Sequence, residues 1–419
     1  MTLHDPLGVP ALLAHLDAAV SPAHGVESAA RRLASAGFTE ADWTGLSGVL
    51  PRSGYIRHAG LLIAWRGGRD PRAGFRIVGA HTDSPVLKIK PRPDVSSLGW
   101  RQLGVEVYGG ILNNSWLDRD LGFAGRVVGA DGTVRLVDVR EPVARVPQLA
   151  IHLDRDVNER GLILDKQAHL TPVWGIGESA GGDFRSFLGR RLDVDPSTIV
   201  SFDLCLYDIT PAAVIGSDRS MIASGRLDNQ ISCWAAVEAL AASDESNATS
   251  VVALFDHEEV GSESSTGAAG PRLEWLLRAL DARSESEFHS ALAASVCVSA
   301  DNAHAVHPNY PERHEPEHRP MANRGPVLKQ NANQRYATSP ETAAIFIDAC
   351  RRAAVPHQVF VSRNSMPCGS TIGPITATRL GIPTVDVGVP QLSMHSAREM
   401  CGVEDPALLA RALTTFLSS

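Results

Sequence analysis

Apolar and polar positions along the chain fall into two regimes. Residues 7–19 and 23–36 carry apolar positions at helical spacing, with Leu12, Leu13 and Leu16 in register, and predict two packing helices. Residues 55–65 read as a strand. Beyond the Gly67-Gly68 turn, Phe75-Arg76-Ile77-Val78-Gly79-Ala80 reads as a buried strand that stops at His81. After Gly225 strand and helix patterns alternate: residues 230–242 are helical by composition, 250–255 form an apolar β-branched strand, and 291–299 read as a helix end followed by a strand. Thr338-Ser339-Pro340-Glu341 is a capping-box sequence opening a helix towards Ala354, and 383–389 is a further apolar strand. This alternation predicts an α/β fold, a mixed central sheet flanked by helices on both faces.

The middle of the chain breaks the pattern. Pro91-Arg92-Pro93 reads as a linker or domain edge, because proline fixes backbone angles and removes donors. From there to about Gly216 the pattern is mostly short strands and turns. Segments 123–130 and 133–139 are joined by Asp131-Gly132, a hairpin signal because the tight turn needs positive φ. The expected organisation is a catalytic domain in two parts, residues 1–91 and 221–419, with a β-rich domain inserted at 92–220. Residues 307–324, rich in proline, histidine and glutamate, form a long loop.

A chain of 419 residues accommodates two or three domains and a large core. Its net charge of −8 argues against a nucleic-acid binder or an anionic-membrane binder, both of which need a basic face. No apolar run approaches the roughly 18 residues needed to span a bilayer, and Met1-Thr2-Leu3-His4-Asp5-Pro6 lacks a basic segment followed by an apolar one, so a cytoplasmic protein is expected. The six cysteines are scattered without a C-x-x-C pair and read as buried thiols in a reducing compartment.

The chemistry lies where buried strands stop. Ile77–Ala80 is followed by His81-Thr82-Asp83, Val251–Phe255 by Asp256-His257-Glu258-Glu259, Val296-Cys297-Val298 by Asp301, and Val385–Val389 by the loop bearing His395. Ligands of open α/β sheets collect beyond the carboxyl ends of strands, so these residues are expected to converge. His81, Asp228, Glu259, Asp301 and His395 then supply three carboxylates and two imidazoles, an inventory for two divalent ions per subunit. Zinc suits it first, with manganese or cobalt also compatible. Asp83 is expected to accept the other imidazole N–H of His81. Of the adjacent acids, Glu259 is assigned as ligand and Glu258 as the base that deprotonates the activated water. Each residue also has a plainer reading: Asp228 as a helix cap, His395 as a surface histidine, His257 as a supporting polar residue.

The motifs resemble the aspartyl aminopeptidases, cytosolic dinuclear zinc exopeptidases. They are His81-Thr82-Asp83-Ser84-Pro85, Gly225-Arg226-Leu227-Asp228-Asn229, Asp256-His257-Glu258-Glu259-Val260-Gly261-Ser262, Ser299-Ala300-Asp301-Asn302-Ala303-His304-Ala305-Val306-His307-Pro308-Asn309-Tyr310, Asn331-Ala332-Asn333-Gln334-Arg335-Tyr336 and Met394-His395-Ser396. The resemblance covers nearly the whole chain. It implies a zinc-exopeptidase fold with an inserted dimerisation domain, the five metal positions named above with Asp228 bridging, and Glu258 as catalytic base. It further implies that His152 reaches the substrate of a neighbouring subunit, and that a homo-oligomer, a dodecamer built from dimers, assembles. Lys329 falls where the family places a basic residue for the carboxylate of an N-terminal Asp or Glu, against the alternative of a solvated surface lysine. Gln330 departs from the apolar residue expected beside it. The implied activity is removal of N-terminal acidic residues from peptides. The rival readings are a related dinuclear amidohydrolase or neutral aminopeptidase, and a non-catalytic oligomeric peptide-binding scaffold.

Overall fold

The structure, a computed structural model, describes residues 7–46, 48–178 and 182–419. The start read above for a leader, residues 1–6, lies outside them. The chain divides into two compact units, one of Met1–Asp83, Ala212–Met394 and Glu399–Ser419, the other of Ser84–Pro211 and His395–Arg398.

The first unit is built on a nine-stranded mixed sheet. Its spatial order is Thr39–Glu40, Ser53–His58, Leu61–Arg66, Thr249–Phe255, Phe75–His81, Val296–Ala300, Thr384–Gly388, Val327–Gln330 and Gln358–Val361. The four strands from Thr249–Phe255 to Thr384–Gly388 run parallel, so their carboxyl ends share one side of the sheet. Successive residues of these strands point to opposite faces, as a pleat of period two requires. Val78, Ala80, Val252, Leu254, Val298 and Ala300 belong to one core cluster, which also holds Leu33, Ile231, Trp234, Phe346, Leu413 and Phe416 from helices. Ile77, Val251, Ala253, Phe255 and Cys297 belong to another, with Leu273, Leu276, Phe288 and Ala291 from helices Arg272–Leu280 and Glu285–Ala293. A strand buried on both faces must be apolar throughout, which is why these segments read as unbroken hydrophobic runs. Each large apolar side chain so buried stabilises the fold by about 1.5–3 kcal/mol.

The predicted helices run over Val9–Ala18, Pro22–Ser35, Leu227–Ala242 and Pro340–Arg352. Two local expectations are corrected. The strand expected over 55–65 is a hairpin, Ser53–His58 against Leu61–Arg66, turning at Ala59 with φ 56°. The capping box at the later helix is formed by Ser339 and Thr342, whose side chains exchange bonds with each other's backbone N–H groups, rather than by Thr338 and Glu341. The loop 307–324 contains a single 3-10 turn, Pro311–Arg313, and its far end is pinned by buried Asp405, which accepts from the amides of Asn323 and Gly325.

The second unit is a six-stranded antiparallel sheet in the order Val134–Ala144, Leu121–Gly129, Ile199–Asp208, Val86–Ser97, Trp100–Tyr108 and Val173–Ile176. Gly132, at φ 79°, makes the predicted Asp131-Gly132 turn. The strands are longer than the sequence pattern suggested, and helix Phe184–Leu192 joins them, with the Phe184 and Phe123 rings 5.4 Å apart. Pro91 and Pro93 are not a linker: they lie within Val86–Ser97, where the pairing to Trp100–Tyr108 shifts register between Ile89 and Asp94. Proline cannot donate to a ladder, so a register break is where a strand tolerates it.

The turn after Val296–Ala300 leaves no space beside Gly388, where a Cβ would overlap the Asp301 carbonyl. Gly388→Ala should therefore destabilise the first unit by about 1–3 kcal/mol through overpacking against backbone. A thermal melt reads this directly, and an unchanged midpoint would mean that the Asp301 turn has slack.

Candidate metal centre

The parallel strands deliver their terminal residues to one place. His81 ends Phe75–His81, Asp301 follows Ala300, and Glu258 and Glu259 sit in a 3-10 turn, Glu258–Val260, just past Phe255. His81 is 1% exposed; its Nε2 lies 3.4 Å from Asp228 Oδ1 and 3.5 Å from Asp301 Oδ1. Ligand atoms of His81, Asp228 and Asp301 fall within 4.8 Å of one another, and so do those of His81, Glu258 and Glu259.

Asp228 is not the helix cap. The cap position of Leu227–Ala242 is Arg226, and Asp228 sits inside the segment with non-helical dihedrals of φ −83° and ψ 105°. This break releases the side chain from the helical surface. Asn229 donates to the Ala300 carbonyl at 2.9 Å, tying the break to the strand that carries Asp301.

Asp83 does more than expected. His81 Nδ1 meets the Asp83 backbone carbonyl at 3.1 Å and its carboxylate at 3.4 Å. The same carboxylate accepts the backbone N–H groups of Glu258 and Glu259, each at 3.1 Å. One buried acid thus orients the imidazole from behind and fixes the turn that presents both glutamates. His257 supports the same turn, with Nδ1 2.8 Å from Ser264 Oγ, in keeping with its supporting reading.

The electrostatics call for a cation. Burial opposes charge on His81, yet hydrogen bonds to Asp228, Asp301 and Asp83 hold its imidazole well above the ordinary histidine range. Burial, and then the charges of Asp301, Asp228 and Asp83, push Glu258 up to about 7 against the opposing pull of His81. The donor set, one imidazole nitrogen among carboxylate oxygens, fits a divalent ion that prefers nitrogen and oxygen ligands. Such an ion would supply the positive charge that the imidazolium proton supplies in its place.

His395 lies in the His395–Arg398 segment of the second unit, where its Nδ1 is 3.0 Å from the Gly110 carbonyl. His152 is exposed in that unit's 3-10 turn Ile151–Leu153. Lys329 is 2% exposed, so the alternative of a solvated surface lysine fails. Its Nζ lies 3.4 Å from Asp301 Oδ2, 3.2 Å from the Asn302 carbonyl and 5.0 Å from the centre of the Tyr336 ring. Tyr336 lines a cavity of about 280 Å³ together with His304, Arg313, Phe360, Arg363 and Cys368.

Several contributors had no signal in the sequence. Gln230 donates to the Thr82 carbonyl at 2.7 Å and Cys233 to the His81 carbonyl at 2.9 Å, holding the His81 turn from the helix side. Glu399 accepts the Asp228 N–H at 2.9 Å. An acid opening an otherwise apolar strand was its only mark.

The chain is similar to known proteins along nearly its whole length. A family model described as aminopeptidase I zinc metalloprotease (M18) matches residues 15–417. A Streptomyces coelicolor protein described as a probable M18 family aminopeptidase 2 is 52% identical over 416 residues, spanning 97% of this chain and 96% of its own. A Mycobacterium leprae protein of the same description is 45% identical over 425 residues, spanning 99% of each. Among solved structures, the Ape4 and Nbr1 complex contains a chain matching with a TM-score of 0.94 at 35% identity, over 98% of this chain and 85% of that one. The S. cerevesiae mApe1 dodecamer matches with a TM-score of 0.86 at 27% identity, over 97% and 95%.

Because one carboxylate serves three donors, Asp83→Asn should turn an amide NH2 towards at least one peptide N–H or the imidazole. Loss of a group that backs a metal ligand typically costs about 10–100-fold in metal affinity. Zinc titration against a competing chelator should show that loss in Asp83→Asn. Affinity equal to wild type would mean that Asp83 is only a structural cap.

Proposed function

The chain belongs to the aminopeptidase I zinc metalloprotease (M18) family, and from that premise we propose that it is a dinuclear metallo-aminopeptidase that removes N-terminal Asp or Glu from peptides. The observation that carries this reading is the convergence of His81, Asp228 and Asp301 with the Glu258-Glu259 turn. In this reading His81, Asp228, Glu259, Asp301 and His395 would hold two ions. Two divalent ions, zinc first with manganese or cobalt also compatible, supply Lewis-acid polarisation of the scissile carbonyl and lower the pKa of the attacking water. Glu258 takes the water's proton and passes it to the leaving amine. Burial and the neighbouring carboxylates push its carboxyl up, a shift that a bound cation would offset. Asp83 keeps Glu258 in position through the peptide N–H it accepts.

The acidic preference rests on charge. Lys329 stands behind Tyr336, and the cavity that Tyr336 lines carries His304, Arg313 and Arg363, with no acidic side chain among its described lining residues. A substrate carboxylate entering a partly desolvated space is tolerated when such cations pair with it.

Assembly follows the same reading. The similar mApe1 is a dodecamer, and the second unit exposes Leu149, Ile151 and Leu153 on the segment that carries His152, with Ile163 exposed farther along the chain. Apolar side chains clustered on a surface are characteristic of interaction sites. In the proposed dodecamer built from dimers this surface is covered by a second copy and His152 serves the neighbouring subunit's substrate.

Three outcomes are expected. Peptides beginning with Asp and Glu should be cleaved, those beginning with Leu, Lys and Ala spared, and cleavage should stop on chelation and return with zinc. Glu258→Gln should keep its metal while losing turnover by about 100–10,000-fold, the usual contribution of a positioned acid–base group. Equal cleavage of all five peptides would remove the acidic preference, and no cleavage by a metal-loaded sample would move the reading to another amide substrate or a non-catalytic scaffold. Light scattering should give an oligomer much larger than one chain; a monomer would sink both the dodecamer and the role of His152.

A further inference from the structure

We infer that Glu399, together with Gln391 and Asn302, is a positioning residue that fixes Asp228 and Asp301 relative to each other. The inference rests on the ligand roles proposed above for those two aspartates.

The geometry is a closed ring of hydrogen bonds. Glu399 is 2% exposed and opens strand Glu399–Gly402, which pairs with Met221–Ser224 just ahead of Asp228. Its Oε2 accepts the Asp228 backbone N–H at 2.9 Å, and its Oε1 accepts Gln391 Nε2 at 3.3 Å. Gln391, 1% exposed, accepts Asn302 Nδ2 on its Oε1 at 2.9 Å. That same Nδ2 donates to the Leu227 carbonyl at 2.8 Å, which returns the ring to the residue bonded to Asp228. Lys329 braces the Asn302 end by donating to its carbonyl at 3.2 Å.

The chemistry of each member matches its place. Two donors, a peptide N–H and a side-chain amide, point at Glu399, and a carboxylate is the side chain whose two oxygens both accept. Gln391 must donate to Glu399 and accept from Asn302, and an amide does both with one side chain. A buried acid is costly to keep where a leucine would fill the space. Its position, against the backbone of the residue that breaks the helix geometry at Asp228, gives that acid a task. The ring locks the Leu227-Asp228 and Asp301-Asn302 turns, so the carboxylates of Asp228 and Asp301 reach His81 from a fixed separation. Glu399, Gln391 and Asn302 are not among the proposed ligands or the proposed base, so they position ligands rather than take part in the reaction.

The test uses the full chain with zinc as the probe. E399Q still accepts the Asp228 N–H but presents an NH2 to the NH2 of Gln391. The exchange variant, E399Q with Gln391→Glu, restores an acceptor facing that donor and keeps the acceptor for Asn302. Zinc affinity by chelator competition, zinc stoichiometry, kcat, KM and the thermal midpoint are read for each. E399Q should lose about 10–100-fold in zinc affinity and a comparable factor in kcat, the usual scale for groups that orient metal ligands. KM should hold, and the exchange should recover both losses. A lowered thermal midpoint with wild-type zinc affinity and kcat would overturn the inference, as would an exchange variant that folds but stays weak. If E399Q does not fold, near-wild-type zinc affinity of the exchange variant supports the inference, while failure of both to fold overturns it, since the ring would then serve the fold alone. A wild-type chain that binds no zinc would overturn the metallo-aminopeptidase reading first and this inference with it.

Discussion

Five carboxylates, those of Asp83, Asp228, Glu258, Glu259 and Asp301, crowd the carboxyl ends of adjacent parallel strands around one imidazole. Two like charges about 4 Å apart repel by roughly 4 kcal/mol at the effective dielectric of a protein surface, and burial raises that figure. Such a cluster persists only where positive charge is built in or bound. The structure answers partly with Lys329 against Asp301 and with a His81 whose carboxylate partners favour its protonated form. Much else in the first unit can be read as meeting the demand of this cluster. Parallel pairing brings the strand ends together, apolar layers on both faces keep water from screening the charges, and peptide N–H groups are spent on acids that take no ligand role.

Those supporting acids divide the work. Asp83 holds the imidazole and the glutamate turn, and Glu399 holds the backbone of Asp228. Each accepts the main-chain N–H of a proposed carboxylate ligand. This leaves the ligand oxygens aimed inward while their backbone is fixed, and it places the site on strand ends, which are stiffer than free loops. Asp386 holds loops rather than ligands farther out: buried and pushed up by that burial, it accepts Thr371 Oγ1 at 2.6 Å and the Ala337 N–H at 2.7 Å, tying two connecting segments to strand Thr384–Gly388.

How much of this was legible depended on whether the signal was local. The parallel strands announced themselves because burial on both faces demands continuous apolar runs, and the residues just past them stood out as acids and histidines where the runs stop. Gly132 could be placed because a tight turn needs its φ. The Ala59 turn could not, since a non-glycine residue at φ 56° carries no mark in sequence. Pro91 and Pro93 misled because the same missing donor marks a linker and a register break alike. Glu399, Gln391 and Asn302 were silent for a different reason. Their roles are set by long-range contacts, 171 residues in sequence between Asp228 and Glu399, and no spacing rule reaches that far.

Lys329 shows how one charge can serve two demands. It faces Asp386 across the strand pair, bonds Asp301, and stands over the Tyr336 ring whose other surroundings form the cavity. An ammonium held by Asp301 and the Asn302 carbonyl is a fixed point of positive potential, since moving it would strand a buried acid. A substrate carboxylate in the cavity would therefore feel Lys329 as part of a field shared with His304, Arg313 and Arg363 rather than as a flexible partner. Removing the lysine would disturb Asp301, a proposed ligand, and the field together. Removing an arginine of the cavity wall leaves that bond to Asp301 in place, so the proposed acid selectivity and metal retention would be separable at Arg313 and Arg363 and entangled at Lys329.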